Sequence, residues 1–309
     1  MTRVLFAAAP ARWPQYEQPL ETAFAEAGLA VDLATDHPPE TVDYIVYAPN
    51  SGLDDFRPFV RAKAVLNLWA GVEDVAPNPT LTIPLARMVD AGMTEGMTEW
   101  VVGHTLRHHL GTDFYTSRRG PRWEKRVPPL ARDRRVGVLG LGALGGAAAR
   151  ALAALNFDVA GWSRRPKEVP GVRTLSGAEG LEGVLALSEI LVLLVPLTAE
   201  TENLLEARRL ALLPKGAVVL NPGRGVLIDD AALLAALDAG RLGHATLDVF
   251  RQEPLPPEHP FWSHPRITVT PHVASETRPE SAARVIAENV RRGESGEPLL
   301  HLVDRAAGY

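Results

Sequence analysis

The chain has 309 residues, which is long for one domain, so two domains are expected. A net charge of −5 argues against a general nucleic-acid binder, because the chain has no overall positive field. The absence of cysteine excludes disulfides, thiolate metal sites and cysteine nucleophiles. The longest apolar run of the interior, Ile190–Val195, is too short to cross a membrane. We therefore expect a cytoplasmic protein with neither a nucleic-acid nor a membrane partner.

The first third of the chain alternates short apolar runs with helical patterns. The predicted strands are Val4–Ala8, Val31–Leu33, Tyr44–Tyr47 and Ala64–Leu68, and the predicted helices are Pro14–Ala27 and a piece around Asp54–Arg61. This alternation predicts a parallel sheet covered by helices. The pattern over Gly92–Leu110 then predicts a long helix or helix pair that leads to the next region.

A basic segment, residues 117–135, follows that helix. It holds eight basic and two acidic residues and is interrupted by two glycine–proline or proline–proline pairs. One interpretation is a phosphate or nucleic-acid patch. The acidic balance of the whole chain favours the other, a solvated arm or an oligomer-contact loop.

The apolar run Val136–Leu139 ends in Gly140-x-Gly142-x-x-Gly145, and a helical pattern starts at once. In a strand–turn–helix unit, the first glycine permits the tight turn and the second lets the backbone approach a pyrophosphate. The third lets helix and strand pack closely, while the free N–H groups of the helix N-terminus face the anion. Three glycines alone are weak evidence, but their place between a strand and a helix predicts a dinucleotide-binding turn.

Further short apolar runs follow the glycine turn. The predicted strands are Val159–Trp162, Ile190–Val195, Ala217–Leu220, Ala245–Val249 and Ile267–Thr270. They predict a doubly wound sheet, and a last helix over Arg278–Arg292 is expected to return to the first domain. The expected domains are 1–97 plus 278–309 for substrate and 98–277 for the dinucleotide.

Ligands bind at the carboxyl ends of the strands in an open parallel sheet. In this second sheet those ends carry a phosphate-binding turn, a guanidinium at Arg224, carboxylates at Asp248 and Glu253, and an imidazole at His272. A purely structural sheet needs no such set at one edge, so the sequence predicts an active site there.

Four motifs and the C-terminal tail make a resemblance specific. They are Gly-Leu-Gly-Ala-Leu-Gly (140–145), Asn-Pro-Gly-Arg-Gly-Val (221–226), Leu-Asp-Val-Phe-Arg-Gln-Glu-Pro-Leu (247–255), Thr-Pro-His-Val-Ala (270–274) and the tail 303–309. Through them the chain resembles the D-isomer-specific 2-hydroxyacid dehydrogenase family, in its glyoxylate/hydroxypyruvate reductase A branch. The departure is Pro222-Gly223, where the branch more usually has an apolar residue and alanine.

The resemblance implies an α/β fold with two doubly wound parallel-sheet domains, a Rossmann-type nucleotide-binding domain being inserted into a flavodoxin-like substrate domain. It also implies a homodimer that reduces glyoxylate and hydroxypyruvate, with Arg224, Glu253 and His272 as the catalytic residues. The chemistry agrees with those roles. Arg224 suits a bidentate grip on a carboxylate. His272 suits a general acid, because an imidazole titrates near physiological pH, and Glu253 would favour the protonated imidazole.

The position that holds an acidic residue in NAD sites is occupied here by Ser163-Arg164-Arg165. With no carboxylate to repel a 2′-phosphate and two guanidinium groups to pair with it, we expect NADPH, with NADH as the weaker cofactor. The alternative is two ordinary surface arginines. The expected cofactor-binding residues are Gly140, Gly142, Ala143, Leu144, Gly145, Ser163, Arg164, Arg165, Pro196, Asn221 and Asp248, where Asp248 could equally cap a loop.

The stretch Leu68–Val72 resembles the family's substrate loop, whose backbone N–H groups receive the carboxylate. The expected substrate-binding residues are Trp69, Ala70, Gly71, Val72, Arg87 and Arg224, although Trp69 and Arg87 could instead belong to the core. His104 and His108 share a helix face, but no cysteine or carboxylate pattern supports them, so we expect no metal site. Two alternative functions stay open: another D-2-hydroxyacid dehydrogenase, and a non-catalytic nucleotide-sensing corepressor.

Overall fold

The structure is a computed structural model, and it describes residues 1–117, 120 and 123–308. The chain divides into two compact units, of which the first is discontinuous: Met1–Met93 with Thr277–Tyr309, and Thr94–Glu276. The divisions lie close to the boundaries expected from the sequence, at 97/98 and 277/278.

The described residues form twelve strands and eight α-helices. The strands are β1 Thr2–Ala7, β2 Val31–Ala34, β3 Tyr44–Tyr47, β4 Ala64–Asn67, β5 Leu85–Ala86, β6 Arg135–Leu139, β7 Asp158–Ser163, β8 Arg173–Ser176, β9 Ile190–Leu193, β10 Ala217–Asn221, β11 Leu242–Leu247 and β12 Ile267–Val269. The helices are α1 Trp13–Glu26, α2 Ala91–Leu110, α3 Thr112–Thr116, α4 Ala143–Ala154, α5 Gly177–Leu187, α6 Ala207–Leu210, α7 Asp230–Asp238 and α8 Pro279–Glu294.

The first unit is built on a five-stranded sheet in the order β2-β1-β3-β4-β5, and all its pairings are parallel. The strands β3 and β4 are buried throughout, as expected for strands covered on both faces. Helices α1 and α8 pack against each other, and α8 contributes an apolar stripe of Ala283, Ile286 and Val290 at helical spacing. The parallel order confirms the doubly wound sheet predicted for this part of the chain.

The predicted helical piece around Asp54–Arg61 is wrong. The chain makes short turns there instead, with backbone hydrogen bonds from Phe59 N to Phe56 O and from Ala62 N to Phe59 O. Pro58 has no N–H to donate, and the side chain of Asp55 accepts from the backbone N–H of Arg57, which favours a turn over a helix.

The second unit is built on a seven-stranded parallel sheet in the order β12-β11-β10-β9-β6-β7-β8. The order reverses between β6 and β9, which is the topological switch point where such sheets bind ligands. The buried strand residues form the middle of two apolar clusters, one on each face of the sheet. This arrangement confirms the Rossmann-type sheet.

Helix ends in the second unit follow their capping residues. The side chain of Asp229 accepts from Ala232 N at 2.9 Å and fixes the start of α7. Of the basic segment 117–135, Arg118, Arg119, Pro121 and Arg122 lie outside the described residues, as does Tyr309 in the C-terminal tail. Among the described helices, none is long and apolar enough to cross a membrane.

Candidate active site

The glycine turn lies between β6 and α4, at the switch point of the seven-stranded sheet. Gly140 has a positive φ of 99°, and a Cβ there would overlap the backbone of Leu194, the residue after β9. A Cβ on Gly145 would overlap the carbonyl oxygen of Gly140, whereas a Cβ on Gly142 would meet nothing within 4 Å. Two glycines therefore close the turn, and the third leaves open space in front of the helix N-terminus, where a phosphate would lie.

Ser163, Arg164 and Arg165 lie at the carboxyl end of β7, on the same edge as the glycine turn. The hydroxyl of Ser163 donates to the carbonyl oxygen of Arg165 at 2.7 Å and shapes this turn. Arg164 Nη1 lies 4.0 Å from a carboxylate oxygen of Glu200, and both side chains are exposed. Pro196, which follows β9, is also exposed.

Asn221 and Gly225 fix the loop that carries Arg224. Asn221 is buried, donates to the carbonyl oxygen of Arg224 at 2.9 Å and accepts from Gly223 N at 3.1 Å. A Cβ on Gly225 would overlap the backbone of Phe250, so only glycine allows this close approach. The loop after β10 is thereby held against the loop after β11, which contains Glu253.

His272 and Glu253 form the central pair of the site. Nδ1 of His272 lies 2.6 Å from Oε2 of Glu253, and Oε1 of Glu253 accepts from Phe250 N at 2.8 Å. The bond at Nδ1 leaves Nε2 as the ring nitrogen available to another molecule. The imidazole is about half exposed, with 53% of its side-chain surface accessible to solvent.

The two partners shift each other's pKa in opposite directions. The hydrogen bond to Glu253 raises the pKa of His272, and burial of the imidazole together with the nearby charge of Arg224 only partly opposes this. Burial alone would raise the pKa of Glu253, but the hydrogen bonds from His272 and Phe250 and the charge of Arg224 hold it below its ordinary value. The pair therefore favours a protonated imidazole beside an ionised carboxylate.

Asp248 holds the backbone turn on which His272 lies. It is fully buried, and its carboxylate accepts from Thr270 Oγ1 at 2.5 Å, from Val273 N at 3.0 Å and from Ala274 N at 2.9 Å. His272 itself adopts a left-handed backbone conformation with φ of 53°, and its N–H donates to the carbonyl oxygens of Asp248 and Thr270. Asp248 acts here as the loop cap weighed from the sequence, and its contact with the cofactor stays a prediction.

The expected substrate residues of the first unit lie in the loop after β4 and at the end of β5. Trp69 is 38% exposed, Ala70 and Gly71 are partly exposed, and Val72 is buried. Arg87 follows β5, and burial lowers its pKa. Trp69 is therefore not an enclosed core residue, whereas Arg87 is only partly exposed; the role of both toward a substrate stays a prediction.

Sequence reasoning missed three residues that position these groups: Asn67, Gly225 and Thr270. Asn67 is a polar residue at the end of an otherwise apolar strand, which was a usable signal. Gly225 and Thr270 were part of recognised motifs, but their contacts with Phe250 and Asp248 join elements that are far apart in sequence.

One edge of the seven-stranded sheet therefore combines a glycine turn for a pyrophosphate with a hydrogen-bonded acid–imidazole pair and a nearby guanidinium. This combination defines the class: a nucleotide-binding α/β protein equipped for proton and hydride chemistry on a carbonyl.

Comparison with known proteins agrees. Residues 103–274 match the family model of the D-isomer specific 2-hydroxyacid dehydrogenase NAD binding domain. The chain is 42% identical over 257 residues to the glyoxylate/hydroxypyruvate reductase A of Salmonella newport, covering 81% of this chain and 82% of the relative.

Two solved structures extend the likeness to the whole chain. A D-isomer specific 2-hydroxyacid dehydrogenase from Xanthobacter autotrophicus, in complex with NADPH and MES, is 42% identical with a TM-score of 0.93, covering 100% of this chain and 99% of that one. An NADPH-dependent glyoxylate/hydroxypyruvate reductase from Sinorhizobium meliloti, in complex with NADP and sulfate, is 36% identical with a TM-score of 0.85 over the same shares.

The chain belongs to the D-isomer-specific 2-hydroxyacid dehydrogenase family, in the branch of glyoxylate/hydroxypyruvate reductase A. This confirms the resemblance read from the four motifs. It also makes the chain a member of a family of NAD(P)-dependent oxidoreductases.

Proposed function

We propose that this chain is an NADPH-dependent reductase of small 2-oxo acids, and that its substrates are glyoxylate and hydroxypyruvate. The observation that carries the proposal is the 2.6 Å bond between His272 and Glu253, on the sheet edge that also holds the glycine turn. The names of the Salmonella and Sinorhizobium relatives give the substrates and the cofactor.

The described residues fit a bound dinucleotide. The space in front of Gly142 leaves room for a pyrophosphate at the N-terminus of α4, and the rim after β7 offers two exposed guanidinium groups to a 2′-phosphate. When bound, the reduced nicotinamide supplies the hydride to C2 of the 2-oxo acid.

The chain's own residues bind the negatively charged oxo acid and supply the proton to its carbonyl oxygen. Arg224 binds the oxo acid and polarises its carbonyl, which favours attack at C2. His272, kept protonated by Glu253, donates the proton from Nε2 to the carbonyl oxygen, so that a hydroxyl forms as the hydride arrives. Glu253 then holds the imidazole in the orientation that places Nε2 toward the substrate.

Steady-state oxidation of NADPH with glyoxylate, hydroxypyruvate and pyruvate, measured side by side, tests the function. The proposal expects the highest kcat/KM values for glyoxylate and hydroxypyruvate. A higher kcat/KM for pyruvate would favour another D-2-hydroxyacid dehydrogenase. Nucleotide binding without turnover of any oxo acid would favour a corepressor-like protein and overturn the proposal.

Arg164 and Arg165 are proposed to select NADPH over NADH. Replacing both with alanine removes the cations that pair with the 2′-phosphate, so the KM for NADPH should rise about tenfold or more while the KM for NADH changes little. Arg173→Ala is a matched control, because Arg173 is exposed but lies at the opposite, amino-terminal end of its strand. Equal effects of the double variant on both cofactors would remove this role.

A homodimer is proposed as well. Large apolar side chains are exposed close together in the chain between residues 110 and 130: Leu110, Tyr115, Trp123, Val127 and Leu130. Exposed apolar side chains of this kind often lie in interfaces between subunits. Light scattering after size exclusion should give twice the 33.4 kDa chain mass, and Val127→Glu with Leu130→Glu should shift it toward the monomer. The cytoplasmic location stays a prediction that fractionation of cells would test.

A further inference from the structure

In the loop after β4, residues Leu68 to Val72, the carbonyl oxygens of Leu68, Trp69, Gly71 and Val72 are hydrogen-bonded. The N–H of Leu68 donates to the carbonyl oxygen of Tyr47 and is therefore not available to a ligand. The oxygen of Leu68 accepts from Thr277 Oγ1 at 2.8 Å, and the oxygen of Trp69 accepts from Met88 N at 3.0 Å. Within the described part of the chain, the N–H groups of Ala70, Gly71 and Val72 have no acceptor. This arrangement is the one that an anion-binding backbone loop requires.

Asn67, the last residue of β4, donates two further hydrogen bonds to this loop. It is 1% exposed, and its Nδ2 donates to the carbonyl oxygens of both Trp69 and Gly71, each at 2.9 Å. One side-chain amide thus ties down two of the loop's carbonyls, on either side of Ala70. The C=O and N–H of one trans peptide group point in opposite directions, so holding the carbonyls of Trp69 and Gly71 turns the N–H groups of Ala70 and Val72 the other way.

The side chain of Asn67 has a second property that fits this role. Among the described residues, its buried Oδ1 has no hydrogen-bond partner. The opposite orientation of the amide would place Oδ1 against two carbonyl oxygens, so the network itself fixes which atom faces the loop. A purely apolar residue would pack at this place without leaving a buried oxygen unpaired, so the two donated bonds are what asparagine adds.

We propose that Asn67 is a positioning residue, which holds the backbone of the 68–72 loop so that the N–H groups of Ala70, Gly71 and Val72 receive the carboxylate of the 2-oxo acid. The inference rests on the proposed function, which assigns this loop to the substrate. Thr277 assists by holding the carbonyl of Leu68. Neither side chain touches the substrate in this account; both act through the backbone.

The test compares Asn67→Ala and Thr277→Val with the wild-type chain. Losing the loop's hydrogen bonds should raise the KM for glyoxylate and for hydroxypyruvate together, by about tenfold for Asn67→Ala, because both acids present the same carboxylate. The KM for NADPH should stay within about twofold, and kcat should change less than KM. Thr277→Ser keeps the hydroxyl and should restore the KM that Thr277→Val raises.

Asn289→Ala is the matched control. Asn289 is another buried asparagine of the same unit, and its amide binds both the N–H and the carbonyl oxygen of Leu300, away from the substrate loop. It should destabilise the chain without changing the KM for either acid. A KM that rises equally in Asn67→Ala and Asn289→Ala would reduce Asn67 to a structural role and overturn the inference.

Binding of oxamate, an unreactive 2-oxo acid analogue, separates this inference from the proposed function. If the wild-type chain turns over glyoxylate but Asn67→Ala binds oxamate and glyoxylate normally, the inference fails and the function stands. If the wild-type chain shows no turnover, calorimetry with oxamate decides: weaker binding to Asn67→Ala than to Asn289→Ala supports the inference, and equal or absent binding overturns it.

Discussion

Two side-chain pairs in the second unit, His272 with Glu253 and His108 with His244, show how differently histidine behaves in two surroundings. At the carboxyl end of the sheet, the half-exposed His272 is hydrogen-bonded to the carboxylate of Glu253. Elsewhere in the same unit, His108 on α2 and His244 on β11 lie with their ring centroids 4.9 Å apart, and each Nε2 lies within 3 Å of a threonine hydroxyl. The first pair has an anion as its partner, whereas the second has only neutral hydroxyls and another imidazole.

The consequence is an opposite shift of pKa. The hydrogen bond to Glu253 raises the pKa of His272. Burial lowers the pKa of His108 to about 3 and that of His244 to about 4, and the positive charge of Arg107 adds to both effects, although Asp113 opposes it. The surroundings therefore favour the protonated form of the imidazole at one place and the neutral form at the other.

The largest expected effect comes from His272→Asn. Removing the general acid should lower kcat for glyoxylate by about 10²- to 10⁴-fold, since proton donation contributes on that scale. Fluorescence titration should find the affinity for NADPH unchanged. His108→Gln is the control within the comparison and should leave kcat within about twofold of the wild-type value, because that imidazole makes no contact with the site. Activity retained in His272→Asn would contradict the role of His272 as the general acid.

Glu253→Gln tests the cause of the raised pKa. The proposed mechanism requires a protonated His272, so kcat/KM should fall as the pH rises through that pKa. Without the carboxylate the pKa drops, and the decline should begin at lower pH, with a loss of about tenfold at alkaline pH for each pKa unit lost. A kcat/KM profile from pH 5.5 to pH 9.5 gives the two midpoints.

Glu258→Gln serves as the matched control for that profile, because Glu258 is an exposed carboxylate on the same loop. Its profile should overlay that of the wild-type chain. A midpoint that moves equally in both variants would show that the overall charge of the loop, rather than the hydrogen bond at Nδ1, sets the titration of His272.

The fold and the composition of the sheet edge could be predicted from the sequence because they depend on local signals. Short apolar runs, helical periodicity and the glycine turn each act within a few residues, and parallel topology then brings the strand ends to one edge. The prediction of a helix around Asp54–Arg61 was wrong because it too relied on a local pattern. That pattern was weak, and the turn-forming side chains of Asp55 and Pro58 outweighed it.

The supports of the site could not be predicted because they depend on contacts between distant elements. Position 225 must be glycine because the backbone of Phe250 leaves no room for a Cβ. The carboxylate of Asp248 accepts hydrogen bonds from N–H groups about 25 residues further along the chain. Likewise, nothing in the sequence around His108 and His244 distinguishes a buried pair from an active one. Their burial follows from the packing of α2 near the threonines of β11 and β12.

The stability of the folded chain should depend on pH with opposite signs for the His108–His244 pair and for the protonation of His272. The pKa values of His108 and His244 are lower in the folded chain than the ordinary value of 6.5, so the unfolded chain binds more protons. Stability should therefore be full above about pH 6.5 and fall as the pH decreases toward 4, by at most about 1.4 kcal/mol per pH unit for each histidine. His244→Gln keeps a polar partner for Thr268 and should flatten this dependence. Urea midpoints at pH 7.5, 6 and 5 measure it, and an unchanged slope in the variant would contradict the assignment.

The smallest effect is expected from the stability that the His272–Glu253 pair itself contributes, and its sign is opposite. The pKa of His272 is raised in the folded chain, so the stability that His272 contributes is fully present below pH 6.5 and is lost as the pH rises through the raised value. The pKa of Glu253 is lowered, so the stability that Glu253 contributes is lost only as the pH falls below about 4.5 through the lowered value. The pair therefore stabilises most between about pH 4.5 and pH 6.5, and because it is partly exposed the coupling should be no more than about 1 kcal/mol. A double-mutant cycle of Glu253→Gln and His272→Gln at pH 5.5 and pH 9 measures this coupling directly. A coupling that is larger at pH 9 than at pH 5.5 would mean that His272 is neutral when paired, and the contrast with the buried histidines would then lie in exposure alone.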